Sequence, residues 1–226
     1  ISGDTLGKFK GEVDWINKSR KMILDVDLIK DNLVITHAKG QYNAKDFESP
    51  LDIDFSIKDA KFSILETFLL GYVVDMKGLA NGNVHLSGSL EEPDWKGRIG
   101  FLDAGFKLDY FKTYYEFTGE IIFDKEQIYV QNLHLTDSLW STKMILNGGI
   151  SHHWLKKFDA STIIDMNNTF LLNTKSKDNK LYYGSAFASG KVMIDGPFEN
   201  LRIWSDEITT NPVSYTHLTL PTKRTV

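Results

Sequence analysis

The chain has 226 residues, 42% apolar and 25% charged, enough to bury a substantial core within one domain. Its net charge of -4, from 26 basic and 30 acidic residues, is interspersed, whereas a nucleic-acid binder carries a basic stripe. There is no cysteine, which excludes disulfides, thiol chemistry and cysteine-ligated metals.

In chain order, residues 6–60 read as strands. Val26 and Leu28, then Leu33, Val34 and Ile35, flank the polar turn Lys30-Asp31-Asn32. Leu51-Asp52-Ile53-Asp54-Phe55-Ser56-Ile57 alternates strictly, giving one dry face and one wet face. Asp25, Asp27, Asp52 and Asp54 fit a charged outer sheet face better than a set of metal carboxylates.

Residues 61–76 break this pattern. Phe62, Leu65, Phe68, Leu69 and Val73 recur at three- and four-residue steps, which predicts a short amphipathic helix with Gly71 weakening its centre. Such a helix would cover an edge or end of the sheet. It carries too little basic charge for an anionic membrane surface.

Strands resume at about residue 78. Gly82-Asn83-Val84-His85-Leu86-Ser87-Gly88 sets alternating apolar residues between two glycines. The same device returns 108 residues later as Gly190-Lys191-Val192-Met193-Ile194-Asp195-Gly196. Gly82, Gly88, Pro93, Gly190, Gly196 and Pro197 read as structural turns and bends, because glycine permits tight bends and proline removes a ladder donor. Between the copies, Trp95 to Gly105, Leu108 to Phe117, Gly119 to Asp124 and Gln127 to Leu135 read as strands. Within the last, Ile128 and Val130 give way to Leu133 and Leu135, a phase change that marks a bulge or a short turn. Asp137-Ser138, Asn167-Asn168 and Ser176-Lys177-Asp178-Asn179 read as breaks. Twelve to fifteen strands are predicted. Residues 1–210 form one elongated β unit. Residues 211–226 do not continue the pattern and resemble the adapter-derived ending of a truncated gene model.

No catalytic constellation stands out. The histidines His37, His85, His134, His152, His153 and His217 form no HExxH run, and adjacent strand positions such as 152 and 153 face opposite ways. His134, Asp137 and Ser138 are close in sequence, but a catalytic triad is defined by geometry. No GxSxG elbow or phosphate-binding loop occurs. A glycan hydrolase built on two sheet carboxylates has no distinguishing pair here. The chain is therefore read as non-enzymatic, without cofactor or metal. Trp95, Phe101, Phe106, Tyr110, Phe111, Tyr114, Tyr115 and Phe117 crowd one region, either as core or as an acyl-chain lining.

No stretch approaches the roughly 18 apolar residues of a spanning helix. The start Ile1-Ser2-Gly3-Asp4 is neither an initiator methionine nor a signal peptide. The chain reads as an internal fragment, with any membrane anchor outside it.

Taken in order, Gly82 to Ile99, Tyr114 to Phe123, Asp137-Ser138 with Leu146 to Ile150, and Tyr182 to Pro197 resemble the C-terminal domain of the TamB family. These translocation-and-assembly module proteins belong to the AsmA-like bridge-protein superfamily. The likeness covers about residues 45–210. It implies a long curved, mainly open sheet forming a taco-shaped or β-helical trough with an apolar lining. It implies a periplasmic segment of an inner-membrane-anchored envelope protein in a diderm bacterium. Implied partners are phospholipid acyl chains, a TamA-like outer-membrane barrel and barrel substrates. Implied roles are phospholipid transport between the membranes and, alternatively, scaffolding of outer-membrane β-barrel or autotransporter assembly. On this expectation Leu51, Ile53, Phe55, Ile57, Val84, Leu86, Phe106, Val192 and Ile194 line the groove.

Overall fold

The computed structural model describes residues 7–68, 73–153, 157–178 and 183–214. They form a single antiparallel meander of twelve strands, each paired with its neighbours in chain order. The first half comprises β1 (Lys8–Ile16), β2 (Lys21–Lys30), β3 (Leu33–Asn43), β4 (Leu51–Lys61), β5 (Val73–Gly88) and β6 (Pro93–Leu108). The second comprises β7 (Thr113–Lys125), β8 (Gln127–Asp137), β9 (Lys143–His153), β10 (Lys157–Thr174), β11 (Gly184–Pro197) and β12 (Arg202–Ser214). β12 thus begins before the tail expected from residue 211 and runs four residues into it; residues 215–226 lie outside the described residues.

The sheet is not strongly curled, which corrects the expectation of a taco-shaped or β-helical trough. Bending a sheet toward its apolar face crowds the side chains there. That face carries Phe55, Phe123, Ile128 and Ile150 in one cross-strand line. Closure is local and occurs around the buried Tyr115, Phe170 and Thr113. At one end of the sheet β7 reaches β10: the Thr113 hydroxyl donates to the Leu171 carbonyl, and the Asn173 N–H donates to the Phe111 carbonyl at 2.9 Å.

The expected amphipathic helix over 61–76 is also absent. Lys61 ends β4, a 3-10 segment spans Phe62–Phe68, and Val73 to Met76 already belong to β5. The period supporting a helix is too short to offset nucleation, while Val73 and Val74 gain ladder partners in Leu108 and Lys107. The side chains of Leu65 and Phe68, and residues 69–72, lie outside the described residues. Phe62 is buried against Phe101 and Phe117, with ring centroids 4.8 and 5.8 Å away.

One device recurs four times. β4, β6, β8 and β10 each carry one extra residue in a bulge, with Asp59, Asp103, Asn132 and Asn168 at φ between 47° and 49°. Aspartate and asparagine tolerate this left-handed conformation better than most residues. Each freed N–H is taken by a side chain of the following strand. Asp59 donates to Asn81, Asp103 to Thr118, Asn132 to Asn147 and Asn168 to Ser189. The next residue after each acceptor is a glycine: Gly82, Gly119, Gly148 and Gly190. Gly82 and Gly190 therefore stand inside β5 and β11, opposite Ile57 and Met166, and not at turns. Gly88 and Pro93 do flank a turn, as partners at the β5–β6 hairpin. Gly196 and Pro197 close β11 opposite Ala160 and Asp159. The phase change in β8 is a bulge, and Asn167-Asn168, expected as a break, lies inside β10.

Candidate functional site

Period-two alternation sorts the residues of this meander onto two faces. One cross-strand row runs Gly11, Val26, Ala38, Phe55, Val84, Gly97, Phe123, Ile128, Ile150, Ala160, Gly196. It contains no polar side chain and crosses from β1 to β11, a span of about 48 Å at about 4.8 Å per strand. A flanking row joins Val13, Leu24, Gly40, Ile53, Leu86 and Trp95. On the other side, Ile57 meets Gly82 and Ile99, and Thr162 meets Ile194 and Gly148.

Of the residues expected to line an apolar surface, Leu51, Ile53, Phe55 and Ile57 of β4 thus share a face with Val84 and Leu86 of β5. Phe55 lies directly opposite Val84, and Ile53 opposite Leu86. Val192 and Ile194 reach the same face in β11 through Ile164 and Thr162. Phe106 sits with the aromatic cluster, its ring 6.0 Å from Phe117 and 6.2 Å from Tyr115.

This face is unevenly covered. Its densest part joins Phe62, Met76, Phe101, Phe117, Leu133, Leu135, Met144 and Met166, with Val192 and Phe106 packed beside them. Trp140 covers Phe187, their rings 5.8 Å apart, and Phe170 lies 5.2 Å from Phe187. Toward β1 the cover ends, and Phe9, Val13 and Trp15 are exposed.

The β7–β8 ladder is interrupted. Tyr115 and Glu116 pair with Asp137 and Thr136, and Ile122 to Asp124 pair with Tyr129 to Gln127. Residues 117–121 and 130–135 between them have no ladder partner across this joint. The Leu133 side chain fills the space over Gly119, where a Cβ would stand 2.3 Å from Leu133 Cδ1. A cavity of about 570 Å³ opens here, lined by Asp103, Glu116, Phe117, Thr118, His134 and Thr136. The irregularity in β7 and β8 was legible only as the phase change after Val130.

The opposite face is polar and laddered by charge. His37 Nδ1 lies 2.8 Å from Asp27, and its Nε2 lies 3.7 Å from Asp25. His85 repeats this arrangement with Asp54 at 2.8 Å and Asp52 at 4.0 Å. Lys39 pairs with Asp25, and Arg98 with Glu120. The four aspartates singled out in the sequence thus serve a charged outer face. No group of three or more His, Asp or Glu suited to a metal occurs among the described residues.

Asp137 has a structural task. Its carboxylate accepts N–H bonds from Leu139 at 3.0 Å, Trp140 at 2.7 Å and Thr142 at 2.6 Å, which closes the β8–β9 turn. The Thr142 hydroxyl also donates to it and accepts the Phe170 N–H at 2.7 Å. His134 lies at the β7–β8 cavity, so these residues do not assemble a triad with Ser138. His152 is buried, and burial holds its imidazole below the ordinary histidine range, with Glu126 opposing. The side chain of His153 lies outside the described residues.

Comparison with protein families, with curated proteins and with solved structures yields no match. Among the described residues no helix is long and apolar enough to cross a membrane.

Proposed function

We propose that this chain is a non-catalytic segment whose apolar sheet face receives phospholipid acyl chains in the periplasm, between the inner and outer membranes of a diderm bacterium. The observation that carries this reading is the uninterrupted apolar row from Gly11 to Gly196. An acyl chain lying along such a row avoids the cost of crossing water, about 0.8 kcal/mol per CH₂. No nucleophile or proton relay is needed for that task. The resemblance to the TamB family supports the setting, including an anchor outside this chain and a TamA-like barrel partner. The occupied surface is an open face, not the lining of a trough.

The test is photo-crosslinking in cells from Val192 and Phe106, with adducts identified by mass spectrometry. Phospholipid adducts are expected. Purely internal adducts would make both residues ordinary core and overturn the reading. A folded Val192→Asp/Ile194→Asp variant should lose lipid transfer.

A second reading is a scaffold for outer-membrane β-barrel proteins. Among the described residues β1 and β12 are the edge strands of the sheet, and this favours it, because free backbone groups at an edge recruit an incoming strand. Crosslinks from these edges to nascent barrel proteins would support it, and their absence while substrates accumulate would remove it.

A further inference from the structure

The polar face carries ion pairs on both sides of its centre, Arg98 with Glu120 across β6 and β7 and Lys191 with Asp165 across β10 and β11. Between them, over β8, β9 and β10, lies a trough of about 460 Å³. Small-molecule sites commonly hold about 300–1,000 Å³. Its floor is Gly149, which stands between Tyr129 and Ser161 in one cross-strand row. With no side chain at Gly149, the backbone is uncovered there. Gln127 and Ser151, paired across β8 and β9, bound the trough on one side of that row, and Gln131 and Asn147 bound it on the other. Period two sets these side chains on the face away from Ile128, Ile150 and Ala160 of the apolar row.

Among the described residues no charged side chain lines this trough. The side chains of Gln127, Gln131, Ser151 and Ser161 enter no hydrogen bond within the described chain. Asn147 differs, because its carboxamide oxygen accepts the Asn132 N–H at 2.7 Å. A glutamine carboxamide both donates and accepts, and so does a serine hydroxyl. Groups of this mixed kind are matched by a ligand whose own groups also donate and accept, as sugar hydroxyls do. Tyr129 adds an aromatic wall against which the C–H face of a pyranose ring can lie. The rim is acidic: in the cross-strand rows Asp124 follows Gln127, Asp159 follows Ser151 and Asp195 follows Ser161. That rim opposes phosphate, sulfate and uronic acids. The geometry points to a binding site for a neutral glycan in the trough over Gly149. It lies on the face opposite the apolar row and does not depend on the lipid reading.

The test is titration of the full chain with maltose, cellobiose and chitobiose, followed by amide NMR. These probes cover α-linked, β-linked and N-acetylated neutral sugars. At least one should shift the Gly149 amide and the side-chain amides of Gln127 and Gln131, while amides of β2 to β5 stay in place. Tyr129→Ala removes the aromatic wall and should weaken that binding about tenfold. Ser161→Tyr, at an exposed strand position, fills the trough and should abolish it. Unmoved β2 to β5 amides show that each variant is folded, and Ser161→Tyr keeps the test decisive if Tyr129→Ala is not. No shift with any of the three sugars would overturn the proposal, as would equal binding by folded Ser161→Tyr. Tighter binding of a glucuronic acid disaccharide, or equal binding of N-acetyl-trialanine amide, would overturn the assignment to a neutral glycan.

Discussion

The phenol of Tyr115 in β7 donates to the backbone carbonyl of Phe170 in β10 at 2.8 Å, although β8 and β9 lie between them in the sheet. Tyr115 is fully buried, and its hydrogen bond marks the one end at which β7 and β10 meet. Burial pushes its phenol up to about 12, while Thr113 opposes the shift. Between about pH 10 and 12 the folded chain therefore holds a proton that the unfolded chain has lost, so this contribution is full below about 10 and disappears as pH rises. Tyr115→Phe should cost about 1–2 kcal/mol at neutral pH through the lost hydrogen bond. It should also flatten the alkaline limb of stability, as read by urea midpoints.

Gly97 and Gly100 make a matched pair in β6. A Cβ at Gly97 would stand 2.2 Å from the Asn83 carbonyl oxygen and 2.7 Å from Val84 Cα, both backbone. At Gly100 the nearest atom is the Asn81 carbonyl oxygen at 3.6 Å. Gly97→Ala should cost about 2–3 kcal/mol, as overpacking does. Gly100→Ala should stay within about 0.5 kcal/mol of the unsubstituted chain. Equal losses at both positions would contradict the packing of β5 on β6.

The bulge caps predict small, separable losses. Asn147 accepts the Asn132 N–H at 2.7 Å, and Asn81 accepts the Asp59 N–H at 2.9 Å. Asn147→Ala and Asn81→Ala should each lower stability by about 1 kcal/mol. Because the two sites share no partner, the double variant should show the sum. Chemical denaturation of the three variants checks this.

Hydrogen exchange should find the β7–β8 joint. Amides of residues 117–121 and 130–135 that point into this joint have no ladder partner there, unlike those of Ile122 to Asp124 with Gln127 to Tyr129. The former should exchange faster than the latter by at least tenfold. Equal protection would mean that the strands pair along their whole length in solution.

His152 supplies an acid-side prediction. Burial lowers its pKa, so below about pH 6.5 the unfolded chain binds a proton that the folded chain resists. Its contribution is intact above that value and is lost as pH falls toward the folded-state value. Urea midpoints should fall between pH 7.5 and 5.5, and His152→Asn should reduce that slope. An unchanged slope would assign the acid sensitivity to other groups.

Much of the sheet was legible from local pattern. The seven-residue alternation of Leu51 to Ile57 placed β4 and its faces, because a buried face imposes period two on any strand. The shared motif at Gly82 and Gly190 pointed to a repeated device, but Gly119 and Gly148 went unrecognised as its other members. The signal was present as a hydroxyl or amide residue before each glycine. It gains meaning only beside a bulged Asp or Asn in the neighbouring strand, 15 to 22 residues away. The helix over 61–76 failed for a related reason. Its apolar spacing is local, whereas the partners of Val73 and Val74 lie across the β5–β6 hairpin.

By itself the sequence determined the class of structure, the two-faced character of its strands and the absence of cysteine chemistry, since composition and period depend on neighbouring residues alone. Tertiary structure decided the openness of the sheet, the interrupted β7–β8 joint and the meeting of Tyr115 with Phe170. Those depend on which side chains crowd one another once distant strands share a face. Phe55, Phe123, Ile128 and Ile150 stand in one row only after the six strands β4 to β9 have paired in register.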